Sequence, residues 1–193
     1  MEKAGTSYVF AVSGIKNSGK TTLITRVLPF LTKHGVKTAV IKHDGHDFEA
    51  DVPGTDSYRH FQAGAYGTAV FSGEKYMVVK REKRATEKEL MKLFPEADLI
   101  LLEGFKDSSY PKIEVIRRGN SRKSVCREGL RAVATDLLPE ELPDIDVPLL
   151  NLNAPEEIAE FLIDAMSRER PRTVSSDPVL PRRSESDGIA GPA

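Results

Sequence analysis

Uninterrupted apolar runs alternate along the chain with stretches whose apolar residues recur every three or four positions. Tyr8-Val9-Phe10-Ala11-Val12 is the first run, and it ends on Ser13-Gly14, the pattern of a buried strand feeding a glycine turn. Beyond Gly19, Leu23, Ile24, Val27, Leu28 and Leu31 keep helical spacing, which predicts a helix with one buried face. Pro29 lies inside that pattern, so the helix is expected to kink or end near it, with Gly35 as a stop. Lys37 to Lys42 reads as a second strand, followed by a polar loop from His43 to Thr55 rich in Asp, His, Gly and Pro. A short helix over Ser57 to Ala63 follows, capped by Thr55 or Asp56.

Ala65 to Ser72 and Tyr76 to Lys80 predict a hairpin turning at Gly73-Glu74-Lys75. Thr86 and Glu89 have capping-box spacing and open a helix that ends by Pro95. Leu99-Ile100-Leu101-Leu102 is a buried strand between Asp98 and Glu103. Lys112 to Ile116, Arg131 to Thr135 and Val147 to Leu150 are further strands. The last helix opens near Pro155-Glu156-Glu157 and presents Ile158, Ala159, Phe161, Leu162, Ala165 and Met166 on one face. Strands alternating with helices predict an α/β fold, a mostly parallel sheet flanked by helices with a small β-hairpin excursion. One domain over residues 1–170 is expected. Residues 171–193, rich in Pro, Ser and Arg, read as a disordered tail.

Bulk composition narrows the class of partner. The 193 residues are 39% hydrophobic and 30% charged with a net charge of −1, ordinary for a soluble domain and no footprint for nucleic acid. No apolar run is long enough to cross a bilayer, and no signal peptide is expected. The single cysteine, Cys126, excludes an internal disulfide and a cysteine metal cluster, and it fits a cytoplasmic protein.

The chemistry begins at Gly14-Ile15-Lys16-Asn17-Ser18-Gly19-Lys20-Thr21, between the first strand and the first helix. Glycine at both ends lets the backbone approach phosphates and turn its N–H groups inward, the pattern of a Walker A P-loop. The helix adds the positive end of its dipole. Lys20 is the candidate catalytic charge for the β- and γ-phosphates, the Thr21 hydroxyl suits Mg²⁺, and Thr22 is placed for the α-phosphate. The facing acid is expected at the carboxyl edge of another buried strand, which favours Glu103 over Asp98. Gly104 would let backbone approach the γ-phosphate. His43, Asp44, His46, Asp47, Glu49 and Asp51 crowd the loop after the second strand. Asp44 is the candidate for orienting an attacking water. A metal site and an ordinary polar loop explain the rest of that cluster alike.

Taken together, Gly14 to Thr22, Lys42-His43-Asp44-Gly45-His46, Pro53-Gly54-Thr55-Asp56-Ser57-Tyr58 and Glu103-Gly104-Phe105-Lys106 resemble the molybdopterin-guanine dinucleotide biosynthesis protein B (MobB) family over about residues 8–166. The resemblance implies a homodimeric P-loop protein that binds GTP with Mg²⁺ and hydrolyses it weakly. It implies a place beside the molybdenum cofactor guanylyltransferase, with molybdopterin as a further candidate ligand. Thr55 stands where the family usually carries Lys, so a phosphate contact from that position would be missing. The Asn-Lys-x-Asp base-reading segment of many GTPases is also absent; Asp136 after a strand is the candidate for guanine, with a capped turn before Leu137 as the alternative.

Two other readings use the same P-loop. A small-molecule kinase would need an acceptor pocket and an arginine lid, for which Arg81, Arg84, Arg117, Arg118 and Arg122 are candidates. A nucleotide-gated docking module would bind nucleotide and partner without meaningful turnover.

Overall fold

The computed structural model describes residues 7–44, 48–83 and 85–168. The expected tail lies outside the described residues, as do His46, Asp47 and Arg84. Six strands, β1 (Tyr8–Ser13), β2 (Thr38–Lys42), β5 (Leu99–Glu103), β6 (Lys112–Ile116), β7 (Leu130–Thr135) and β8 (Leu149–Asn151), form one sheet in the order β2-β5-β1-β6-β7-β8. Every pairing in it is parallel.

Parallel strands covered on both faces need apolar side chains on both, which is why β1 and β5 are continuous apolar runs. Phe10, Val12, Leu99, Leu101, Ile113, Val115, Ala132 and Ala134 pack on one face with Leu23, Ile24, Val27 and Leu31 of α1 (Lys20–Lys33) and Ile158 and Leu162 of α4 (Pro155–Arg168). The alternate residues Ala11, Ile100 and Leu102, with Ala39 and Ile41, meet Met91 of the short helix α3 (Glu87–Met91) on the other face. A third cluster, Ile116, Val133, Leu137 and Leu142, closes the β7 end beside a single 3₁₀ turn at Pro139–Glu141.

α1 runs through Pro29 to Lys33, so of the two expected outcomes, a kink or an end, the helix does not end at Pro29. The missing amide of a proline removes one helical bond. Val27 and Leu31, on either side of it, are 2% and 0% exposed, and burial of that face holds the helix together. Thr55, the first of the two alternatives, caps α2 (Asp56–Gln62) through its side chain, and the Thr86–Glu89 capping box opens α3 as expected.

The hairpin stands apart as its own sheet, β3 (Gly67–Phe71) and β4 (Tyr76–Lys80), antiparallel with Phe71 opposite Tyr76. Among the described residues no helix is long and apolar enough to cross a membrane.

Candidate functional site

β1 lies between β5 and β6, and the chain passes from one side of β1 to the other between those two strands. Such a switch in strand order opens a crevice at the carboxyl ends of the strands. The loop from Gly14 to Gly19 sits there. Gly14 has φ +138°, Asn17 +61° and Gly19 +98°. A Cβ on Gly14 would lie 2.7 Å from the Val115 carbonyl oxygen and 2.8 Å from Ser18 Oγ, so only glycine fits. Ser18 is fully buried and Ile15 half-buried, while Lys16 and Asn17 are exposed. Ser18 Oγ has no hydrogen-bond partner among the described residues.

The N-terminus of α1 opens directly onto this loop. Gly19 supplies no side-chain cap, so the first amides of a fourteen-residue helix are left for an anion. Lys20 Nζ folds back over the loop and donates to the Ile15 carbonyl at 2.7 Å and the Gly14 carbonyl at 3.3 Å. Its pKa is lowered chiefly by desolvation; the charge of Glu103 opposes the shift and that of Lys42 adds to it. Thr22 is exposed on the first turn.

Glu103 reaches the same place from β5 for a reason of parity. β5 pairs with β1 in register, Leu99 with Tyr8, Leu101 with Phe10 and Glu103 with Val12. Leu99 and Leu101 face α1, so Glu103 continues their series and points at the start of that helix. It is 7% exposed. Thr21 Oγ1 donates to Glu103 Oε1 at 2.6 Å. One hydroxyl and one carboxylate oxygen in contact, at the mouth of a phosphate loop, is a hard oxygen donor pair that suits Mg²⁺ with the remaining positions left to water and phosphate. These residues fit the ion. Asp98, the alternative acid, is at the opposite end of β5, where Oδ2 accepts from the Lys37 amide at 2.9 Å.

Other candidates fall into place differently. Gly104 donates its N–H to Val12 O at 2.9 Å and accepts from Ser13 Oγ, so both its backbone groups anchor β5 to β1 rather than face a phosphate. Asp44 is exposed beyond Lys42 at the same sheet edge. Among the described residues no group of three His, Cys, Asp or Glu gathers as a metal site. Asp136 follows β7, also at the carboxyl edge, and its Oδ1 accepts from the Arg118 amide at 2.6 Å. The Leu137 amide goes instead to Thr135 Oγ1 at 3.0 Å. The 117–122 turn touches the P-loop, where Asn120 Nδ2 donates to Lys16 O at 3.2 Å.

Of the arginines suggested for a lid, three have described partners away from the P-loop lysine. Arg118 and Arg122 pair with Glu141. Arg81 lies over the Phe61 ring, 4.1 Å from its centroid, and donates to Phe61 O at the hairpin.

Two functional-looking residues escaped the sequence reading. Lys112 is 0% exposed and donates to the carbonyls of Lys106, Ser108 and Glu128, tying two loops to β6. Glu114, 1% exposed, accepts from Ser124 Oγ and from the Val125 amide. Polar residues at alternate positions of a strand paired on both edges were the available signal. The crevice widens into a cavity of about 600 Å³ lined by Gly14, Lys20, Lys42, His43, Phe105 and Lys106 among others.

The chain is similar to known proteins over most of its described length. The family model described as MobB, molybdopterin guanine dinucleotide synthesis protein B, matches residues 9–136. The molybdopterin-guanine dinucleotide biosynthesis adapter protein of Escherichia coli K12 is 34% identical over 169 residues, 83% of this chain and 94% of that protein. Its namesake in Haemophilus influenzae is 31% identical over 80% of this chain and 86% of its own. The crystal structure of Bacillus subtilis MobB superposes with a TM-score of 0.66 at 27% identity, covering 82% of this chain and 97% of that one.

Proposed function

Because this chain belongs to the MobB family, we propose that it is a cytoplasmic GTP-binding adapter in the synthesis of molybdopterin guanine dinucleotide. It works beside the guanylyltransferase that joins the nucleotide to molybdopterin. The observation that carries the nucleotide reading is the convergence of Thr21 and Glu103 at the mouth of the Gly14–Gly19 loop. The loop amides and the α1 terminus take the phosphates, Lys20 neutralises their charge, and Thr21 with Glu103 holds Mg²⁺. Asp136, after β7 at the carboxyl edge of the sheet and against the 117–122 turn, is the candidate contact to the guanine ring. Asp44 stands on the γ-phosphate side as the candidate for placing water.

When bound, Mg²⁺ supplies charge neutralisation at the β- and γ-phosphates. This chain's own residues orient the triphosphate, while Arg118 and Arg122, in the turn that touches the P-loop, are held by Glu141. Hydrolysis is therefore slow, far below the roughly 1–100 s⁻¹ of kinases. Titration with GTP and ATP, each with and without Mg²⁺, tests the reading. Preference for GTP that depends on Mg²⁺ supports it; equal or stronger ATP binding with transfer to a small acceptor would replace it with the kinase reading, for which the 600 Å³ cavity is the one favourable observation.

The adapter works as a homodimer joined through the hairpin. Two strands alone are marginal, and Phe71, Tyr76, Val78 and Val70 of β3 and β4 are 84%, 69%, 59% and 47% exposed. Phe71, Tyr76 and Val78 share one face of the hairpin by register, with Val70 on the other; an exposed apolar face of that kind suits an interaction, and a second copy of the chain covers it.

A further inference from the structure

β2 is the outermost strand beyond β5, and its last residue, Lys42, is the register partner of Glu103. Paired residues on neighbouring parallel strands project to the same face, so Lys42 follows Glu103 toward the start of α1. Its Nζ lies 3.8 Å from Glu103 Oε1, the same oxygen that accepts from Thr21. The two side chains differ sharply in exposure, 54% for Lys42 and 9% for Glu103. Lys20 stands on the other side, and each lysine weighs on the site's electrostatics: the charges of Glu103 and Lys42 both act on Lys20. Two ammonium groups therefore act on one carboxylate at this spot, with Glu87 and Asp107 farther along the same cavity. Both also line the cavity that runs from Gly14 outward past Gly104.

An exposed ion pair between a lysine and a carboxylate contributes little by itself. A lysine 54% exposed and 3.8 Å from its carboxylate, at the mouth of a phosphate loop, is free to take an anion instead. With the base at Asp136 on the β7 side, as proposed above, a triphosphate held by the P-loop would extend its terminal phosphate toward β5 and β2, where Lys42 stands. We propose that Lys42 is a γ-phosphate ligand that exchanges its pairing with Glu103 for the terminal phosphate of a bound nucleoside triphosphate, and so sets the preference for triphosphate over diphosphate. The exchange leaves Glu103 Oε1 open on the side Lys42 vacates. This inference rests on the nucleotide-binding reading above and adds a residue to it.

The test is a pair of titrations, with a non-hydrolysable GTP analogue and with GDP, both with Mg²⁺, on the full chain. Lys42→Met keeps the aliphatic stem and removes the charge. It is expected to weaken the triphosphate analogue about tenfold, equivalent to about 1.4 kcal/mol, while GDP affinity and the unfolding midpoint stay as in the parent protein. Lys42→Arg should restore most of the loss, because a guanidinium also pairs with phosphate. A merely structural lysine would shift both nucleotides or the unfolding midpoint. Parent protein that binds both nucleotides, with an unchanged ratio between them in Lys42→Met, overturns the inference and leaves the nucleotide reading standing. Parent protein that binds neither overturns both.

Discussion

Thr21 Oγ1 donates to Glu103 Oε1 at 2.6 Å, although 82 residues separate the two in sequence. The contact exists because α1 starts at the end of β1 while β5 lies beside β1 in register. Replacing Glu103 by Gln preserves an acceptor for Thr21 but removes the charge that a hard divalent cation needs. Glu103→Gln is expected to fold normally and to bind GTP almost independently of Mg²⁺, whereas Mg²⁺ strengthens binding by the parent protein. Calorimetric titration with and without the ion checks it, and an undiminished Mg²⁺ effect in the variant would remove Glu103 from the ion's site.

Lys20 and Gly14 separate binding from folding. Among the described residues, Lys20 Nζ donates to the Ile15 and Gly14 carbonyls of the loop, outside the hydrophobic core. Lys20→Ala should lower nucleotide affinity by about 10- to 100-fold, the range of a charge-assisted hydrogen bond of roughly 1.5–3 kcal/mol, and move stability by less than about 0.5 kcal/mol. Gly14→Ala meets the Val115 carbonyl oxygen at 2.7 Å from a backbone geometry that disfavours a side chain, so it should lose both affinity and stability. Denaturant titration beside nucleotide titration distinguishes the two variants; equal behaviour would contradict the geometry.

The phosphate side of the site was legible because each of its parts is local. A strand, two glycines at fixed spacing and a helix with Leu23, Ile24, Val27 and Leu31 on one face can be read without knowing what lies across the sheet. Glu103 was legible from its position at the end of an apolar run. Lys42 was not, because its significance comes from register with Glu103, which depends on strand order. Lys112 and Glu114 were hidden for a related reason. Their partners are the carbonyls of Lys106, Ser108 and Glu128 and the groups of Ser124 and Val125, loops that only the folded sheet brings to β6. Pro29 does not end α1 because burial of Val27 and Leu31 on either side of it outweighs the lost helical bond.

Cys126 adjoins this buried network and gives it a pH signature. Desolvation, reinforced by the charge of Glu114, pushes its thiol up to about 12 from an ordinary 9.0, against the smaller opposing effects of Lys112 and Ser13. Thiolate is the reactive form. At pH 8 a free thiol of pKa about 8.5 is roughly one-quarter ionised, and one shifted as far as Cys126 about one part in 10⁴, so labelling of the native protein should run on the order of 10³-fold slower than that of glutathione. The raised folded pKa means that the thiol's contribution to stability is fully present below pH 9.0 and is lost as pH rises toward about 12. Ellman's reagent on native and denatured protein measures the first expectation, and unfolding across the alkaline range measures the second. Native labelling at the glutathione rate would show that Cys126 is not held in its protonated form.

The hairpin offers the clearest test of assembly. β3 and β4 pair only with each other, and Phe71 and Tyr76 sit opposite one another with most of their surface in solvent. Burying a large side chain contributes roughly 1.5–3 kcal/mol, so two such residues on each of two copies are a substantial part of what holds a dimer. Phe71→Ser combined with Tyr76→Ser should convert a dimer into a monomer in sedimentation equilibrium at micromolar protein. Nucleotide affinity should persist, because the P-loop, Glu103 and Lys42 belong to the other sheet and its connecting loops. A parent protein that sediments as a monomer would assign the exposed face to a different partner. A variant that remains dimeric would place the contact between copies elsewhere on the chain.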